Sequence, residues 1–331
     1  MRLELATDVE GVRPLVTQWR RLATGHPAAT PYVLPEWALA WWWHGRSAPA
    51  QWRCVSGHEP NGDVIGVIPL LRYGAGVATV SGVELADSTG ALVAPERMAE
   101  LWEATVTALR RDGVRRLDLP YLHGTDLAAL RDGPAAVRVT GEDPGGYVPL
   151  PGSWEDYRRS LKAEVRRKID SRRRRLERGF GPVRLQVTTE RAHLAERLYE
   201  FWRFRERAWQ LRGRYDELAA PARGPKLSDF LHFLGRHADG PSVPAVATLT
   251  AGETVAAAAV LHVCGDRAWF YLCAHDLRLR ALGPGITLLT ECVRYAIEAG
   301  LTELELGRGD EPHKFTVGAQ RRVRPNVRVD L

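Results

Sequence analysis

The chain has 331 residues, 45% of them hydrophobic and 26% charged, an ordinary globular composition without low-complexity tracts. Its net charge of +6 suits an anionic partner such as a nucleotide cofactor, tRNA or a phosphorylated substrate. No apolar run is long enough to span a bilayer. Asp8, Glu10, Arg13 and Arg20 stand where a signal peptide would be apolar. The four cysteines (Cys54, Cys264, Cys273, Cys292) form no CxxC pair and read as buried free thiols, which places the chain in a reducing cytoplasm.

Hydrophobic periodicity predicts a strand over 2–5 and helices over 12–23 and 35–43. Strands follow over 51–58, 64–73 and 77–82, then a helix over 97–111 and a strand over 115–119. The Gly/Pro-rich stretch "GEDPGGYVPLPGS" (141–153) reads as an interdomain connection, dividing the chain into 1–145 and 146–331. Beyond two long helices and a short one come strands over 245–251, 254–264 and 267–274. A helix over 285–299 and a strand over 302–306 complete the series. Each half thus runs through a strand meander, a helix and one more strand. "RRDGVRRLDLP" aligns with "IEAGLTELELG", setting Gly113 on Gly300 at the helix ends.

Two segments carry unusual charge. "SWEDYRRSLKAEVRRKIDSRRRRLERGFG" opens on Ser153 as an N-cap with Asp156 three residues on, and Gly179 suits its stop. Leu161, Val165, Ile169, Leu176 and Phe180 share about 100° of one helical face, and arginines fill the rest. That basic face reads either as solvated surface or as a contact to phosphates of tRNA or a nucleotide substrate. The other segment, "CAHDLRLRALGPGITLL", sets R-x-x-G-x-G at a strand-to-helix junction. Backbone N–H groups there can face an anion with help from the helix dipole. Arg280, Gly283, Gly285 and Ile286 are the candidate cradle, against the plainer reading of a Pro-Gly helix start. There is no Walker A, HExxH, G-x-S-x-G, EF-hand or zinc spacing, so no metal is expected.

The meander, this loop, a helix and a further strand resemble the core of the GNAT acyltransferases, whose R/Q-x-x-G-x-G/A loop holds the pyrophosphate of coenzyme A. "VRRKIDSRRRRLERGFGPV", "LELGRGDEPHKF" (304–315) and, in the first half, "TPYVLPEWALAWWW" and "ELADSTGALV" resemble the cellulose-biosynthesis (CelD/BcsL-like) branch. That branch is related to the Fem-type aminoacyl-tRNA-dependent transferases. His275 and His313 stand where many relatives carry tyrosine.

The resemblance implies an α/β (α+β) fold of two GNAT-like lobes. Each would be a mixed, mostly antiparallel sheet flanked by helices, with the basic helix opening the second lobe. It implies N-acyl transfer from acyl-coenzyme A to an amine of a small molecule, an amino sugar or natural-product intermediate. Aminoacyl-tRNA is the alternative donor, and a non-catalytic binding protein on a degenerate fold the second alternative. The expected catalytic residues are Asp310, Lys314, Asp276 and His275, with Asp310 and Lys314 acting as a unit. Arg308, Glu311, His313, Asp87 and Trp37 are expected on the substrate, although the tryptophan run "PEWALAWWWHG" reads mostly as helix face and core.

Overall fold

The computed structural model describes residues 1–45, 49–74, 76–211, 225–237 and 240–331. The chain divides into two compact units. One comprises Met1–Pro144, Asp239–Ser242 and Val323–Leu331, and the other Gly145–Ala238 and Val243–Arg322.

In the first unit, β1 (Arg2–Ala6), β2 (Ala50–His58), β3 (Val64–Tyr73) and β4 (Val77–Val80) are joined antiparallel in that order. Strand β6 (Arg116–Leu119) lies parallel to β4, and the last residues of β13 (Gln320–Asp330) lie antiparallel to β6. The short β5 (Leu92–Val93) pairs with β3. Three short helices, α1 (Val9–Val12), α2 (Leu15–Ala23) and α3 (Pro35–Ala40), precede β2. Helix α4 (Met98–Arg111) covers the sheet because Met98, Leu101, Trp102, Thr105, Val106 and Leu109 recur at helical spacing and are all buried. They meet Val55, Ile68, Leu117 and Val329 from the strands.

Helix α5 (Gly124–Arg131) brings the buried Asp126 into this core. Its Oδ1 accepts from Ala91 N at 2.8 Å and Trp102 Nε1 at 2.9 Å, yet burial still raises its pKa from 3.8 to about 7.

The second unit has strand order β8-β9-β10-β11-β12-β7. These are β8 (Val183–Thr188), β9 (Ser242–Ala251), β10 (Thr254–Cys264), β11 (Arg267–His275) and β12 (Glu303–Arg308), with residues 145–149 of β7 (Ala136–Pro149). Among the described residues its helices are α6 (Trp154–Ser160), α7 (Ala163–Phe180), α8 (Arg191–Gln210), α9 (Pro225–Arg236), α10 (Pro284–Glu298) and α11 (Pro312–Phe315). Helix α10 is buried on much of its circumference: Leu288, Leu289, Cys292, Val293 and Ala296 lie within two core clusters that also hold Ile169 and Leu176 of α7.

The fold class expected from sequence is the one observed, and the aligned helix ends share their hydrogen bonding. Gly113 and Gly300 take φ of 77° and 73°. Gly113 N donates to Arg110 O and Val114 N to Leu109 O, as Gly300 N does to Ile297 O and Leu301 N to Ala296 O.

Three sequence expectations require correction. The stretch expected as a connection does contain the boundary between the two units, at Pro144 and Gly145, but not as a loop: it lies largely within β7, where Tyr147 and Val148 pair with Glu305 and Leu304. Pairing with a strand far along the chain satisfies its backbone and overrides its turn-forming composition. The long basic helix is two helices. Leu161 turns to an extended ψ of 146° and enters the core, while Arg166 Nη1 donates to the carbonyls of Arg158 and Leu161 at the break. Ser153 does cap α6, but α7 runs past Gly179 to a cap at Gly181, leaving Phe180 40% exposed.

Asp126 predicts a pH dependence of stability. A carboxyl whose folded pKa is raised stabilises fully below its unfolded value and loses that contribution as pH rises through its folded value. Asp126→Asn keeps the Oδ1 acceptor, so its urea midpoint should vary less than wild type between about pH 4 and 7. Parallel curves for the two proteins would rule out ionisation of Asp126 as a source of that slope.

Candidate active site

The site begins where two parallel strands part. β11 and β12 pair only between Arg267–Trp269 and Glu303–Glu305, although β11 runs on to His275 and β12 to Arg308. A cavity of about 790 Å³ is lined by Phe270, Cys273 and His275 of the diverging part of β11, with Ile286 and Leu289 of α10 and His313 of α11. Arg172 and Arg175 of α7, Ala208 and Trp209 of α8, and Arg280, Gly283 and Gly285 complete the wall.

The loop between β11 and α10 is tightly built. Asp276 accepts from Arg278 N at 2.9 Å and from the Arg278 guanidinium, initiating a 3-10 turn over Leu277–Leu282. The Arg278 hydrogen bond holds the Asp276 carboxyl below its usual range. Gly283 ends the turn with φ +73° and caps α10. A Cβ there would stand 2.9 Å from Arg172 Cδ, so glycine is required both for the left-handed backbone and for the passage of Arg172. Arg172 Nη1 is buried without a hydrogen-bond partner. This cation stands beside the N-terminus of a 15-residue helix, where free backbone N–H groups and the helix dipole add positive potential. Above it His275 Nδ1 lies 3.5 Å from where a Gly285 Cβ would sit, which makes that glycine the near wall of the cavity.

The structure brings Arg280, Gly283, Gly285, Ile286, His275 and His313 to this one cavity. Burial lowers the His313 pKa, against the opposing pull of Glu311, so its imidazole is neutral near pH 7 and able to accept a proton.

Other expected residues go elsewhere. Asp310 is 53% exposed and faces Arg321 at 3.3 Å, away from Lys314. Lys314 is buried and its Nζ donates to the carbonyls of Gly307, Arg308 and Gly309 while pairing with Glu311 at 2.9 Å. The lysine therefore staples the glycine turn closed, and Asp310 and Lys314 form no unit. Burial pushes Glu311 up, but the Lys314 hydrogen bond and further contacts leave its pKa below the usual carboxylate value. Glu311 and Arg308 are absent from the cavity lining, as is Asp276, whose carboxylate is taken by Arg278.

In the first unit Trp37 is buried, stacking edge-on against Tyr32 with Nε1 3.4 Å from Gly82 O. It is a core residue. Asp87 accepts from Tyr32 Oη at 2.9 Å, and neither lines the cavity.

Arg172, Arg175, Trp209 and Cys273 were not among the expected site residues. Cys273 is exposed, contrary to the reading of buried thiols, whereas Cys54, Cys264 and Cys292 are buried. For Arg172 the signal was present: Val165, Ile169, Arg172 and Leu176 stand at i, i+4, i+7 and i+11, setting an arginine on the apolar stripe. Arg173, one residue on, instead bonds Glu177, Glu291 and Val183 O, so it is part of the scaffold and not a solvated charge.

Residues 163–315 match the family described as acetyltransferase (GNAT) domain. No curated protein matches the sequence. Among solved structures the chain is similar to FemX, at 13% identity and a TM-score of 0.67, over 100% of this chain and 98% of that one. It is similar to the C-terminal domain of a putative lysylphosphatidylglycerol synthetase from Agrobacterium fabrum, at 14% identity and a TM-score of 0.62, over 96% and 91%. L-PGS from Bacillus licheniformis matches at 13% identity and a TM-score of 0.53, over 84% and 83%. At such identities these likenesses establish the fold. No described helix is long and apolar enough to cross a membrane.

The Lys314 staple yields a prediction. Lys314→Met leaves three turn carbonyls and Glu311 without their cation and should destabilise the chain by about 1–3 kcal/mol, read as a lower urea midpoint. Unchanged stability with loss of turnover would restore a catalytic role to this lysine.

Proposed function

From the match of residues 163–315 to the acetyltransferase (GNAT) domain family, we propose that the chain moves an acyl group from acyl-coenzyme A to the amine of a small molecule. The observation that carries the donor assignment is the buried Arg172 Nη1, left without a partner beside Gly283 and the start of α10. Leaving a buried guanidinium nitrogen unpaired is costly, and a phosphate oxygen removes the cost. Arg175 and Arg280 on the same wall supply further positive charge for a pyrophosphate.

The remaining cavity fits the rest of such a donor. Past Trp269, β11 no longer pairs with β12, so its backbone groups on that edge are available to an extended amide-bearing chain. Phe270, Ile286 and Leu289 give that chain an apolar bed, and the thioester would then lie near Cys273 and His275. The attacking amine must be neutral. His313, kept uncharged by burial, takes the proton as the nitrogen–carbon bond forms and the carbon–sulfur bond breaks.

A second donor, aminoacyl-tRNA, is favoured by one feature. Arg167, Lys168, Arg174 and Arg178 of α7 are exposed and line no part of the cavity.

Calorimetry with coenzyme A tests the first reading. Arg172→Ala should weaken binding about 10- to 100-fold, the worth of a charge-assisted hydrogen bond. His313→Gln should lower kcat about 100-fold while the coenzyme A Kd stays within twofold. Wild-type protein that fails to bind coenzyme A, but whose activity is destroyed by ribonuclease and by Arg174→Glu/Arg178→Glu, would transfer the assignment to tRNA.

A further inference from the structure

The end of β11 borders a second cavity, of about 610 Å³, that no step above uses. It is lined by Phe204 and Arg207 of the last turns of α8 and Leu211 just after it, by Thr254 and Val255 at the start of β10, and by the turn Asp276–Arg278. The two cavities adjoin. Ala208 lines both, and His275 on the first is followed directly by Asp276 on the second.

The chemistry of this lining is specific. Leu211 is 65% and Val255 39% exposed, large apolar side chains left in water on one concave wall. Arg207 is exposed and its guanidinium makes no hydrogen bond or ion pair among the described residues. Arg278 spends Nε and Nη2 on Asp276, at 3.0 and 2.6 Å, and its Nη1 makes no bond among the described residues. Asp276, only 7% exposed, thereby fixes the Arg278 guanidinium at the cavity wall. Two guanidiniums beside an apolar surface complement a small molecule with a carboxylate on an apolar body.

We propose that this cavity holds the acyl acceptor and that the acceptor is an apolar α-amino acid. Its carboxylate meets Arg207 and Arg278, and its side chain lies on Phe204, Leu211 and Val255. Its amino group points to the seam at Ala208 and His275. The proposal rests on the acyl-transfer reading. The neutral amine attacks the thioester carbonyl of the donor in the neighbouring cavity, forming the nitrogen–carbon bond and releasing the thiolate. The amine proton passes to a cavity histidine and on to that thiolate, so the products are an N-acyl amino acid and coenzyme A. Asp276 acts through Arg278 and is a positioning residue.

The test titrates L-phenylalanine, phenethylamine and coenzyme A separately into the full chain by calorimetry. Phenylalanine should bind at least 10-fold tighter than phenethylamine, which lacks the carboxylate. Arg207→Met should weaken phenylalanine about 10-fold or more while leaving phenethylamine and coenzyme A unchanged. Val255→Asp, at an exposed position, should also weaken phenylalanine, by charge repulsion. Equal affinity for the two amines, no effect of Arg207→Met, or coenzyme A binding without phenylalanine binding would each overturn the proposal. Phenylalanine binding with the predicted variant effects, in a chain that does not bind coenzyme A, keeps this site and overturns the donor assignment instead.

Discussion

The parting of β11 from β12 after three paired residues is the constraint on which the second unit's chemistry depends. Parallel strands are held by evenly spaced hydrogen bonds, and once those stop, backbone groups and side chains on the facing edges need other partners. Helix α10 starts at the mouth of the opening and runs back over the sheet with Leu288, Cys292 and Ala296 buried against it. Its N-terminus, the end with unsatisfied N–H groups, is thereby fixed beside the gap. The turn over Leu277–Leu282 sets the approach to that helix, and it is pinned at one end by Asp276 and at the other by Gly283.

The arginines of α7 show how one charge type serves different ends according to its surroundings. Arg166 donates to carbonyls at the break between α6 and α7 and holds the two segments at their angle. Arg173 is neutralised by Glu177 and Glu291. Arg172, sharing the apolar stripe with Ile169 and Leu176, is carried inward over Gly283 without a counter-ion for its Nη1. Exposed pairs such as Lys168 with Glu164 contribute little to stability, because water screens them. Position on the helix, not residue identity, separates scaffold from site.

The turn after β12 carries a similar division. Its sequence holds five charged or titratable side chains within seven positions, Arg308 to Lys314. Lys314 goes inward to the carbonyls that two glycines leave exposed, Asp310 goes outward to Arg321, and His313 reaches the cavity. A buried ammonium surrounded by carbonyls and one carboxylate is satisfied locally.

Much of the architecture was legible in the sequence, because alternation and helical spacing report which face of each element is buried, and Gly113 and Gly300 mark matched helix ends whatever surrounds them. The R-x-x-G-x-G junction was legible for the same reason: a cap, a left-handed glycine and a helix start are local events. What escaped were features set by partners distant in the chain. Residues 145–149 became a strand through pairing with β12, and β13 found β6 some 200 positions earlier in the chain. The pairing of Asp310 with Lys314 failed likewise, since composition names the charges in a turn but only the packed structure decides which of them meets a carbonyl, an arginine or a cavity. Sequence by itself determined most of the elements, their order and the glycine turn that starts α10, all governed by backbone geometry over a few residues. Tertiary structure alone decided that Arg172, His275 and His313 share one cavity, because only packing α7, β11 and α11 together balances burial of their apolar faces against the charge they carry inward.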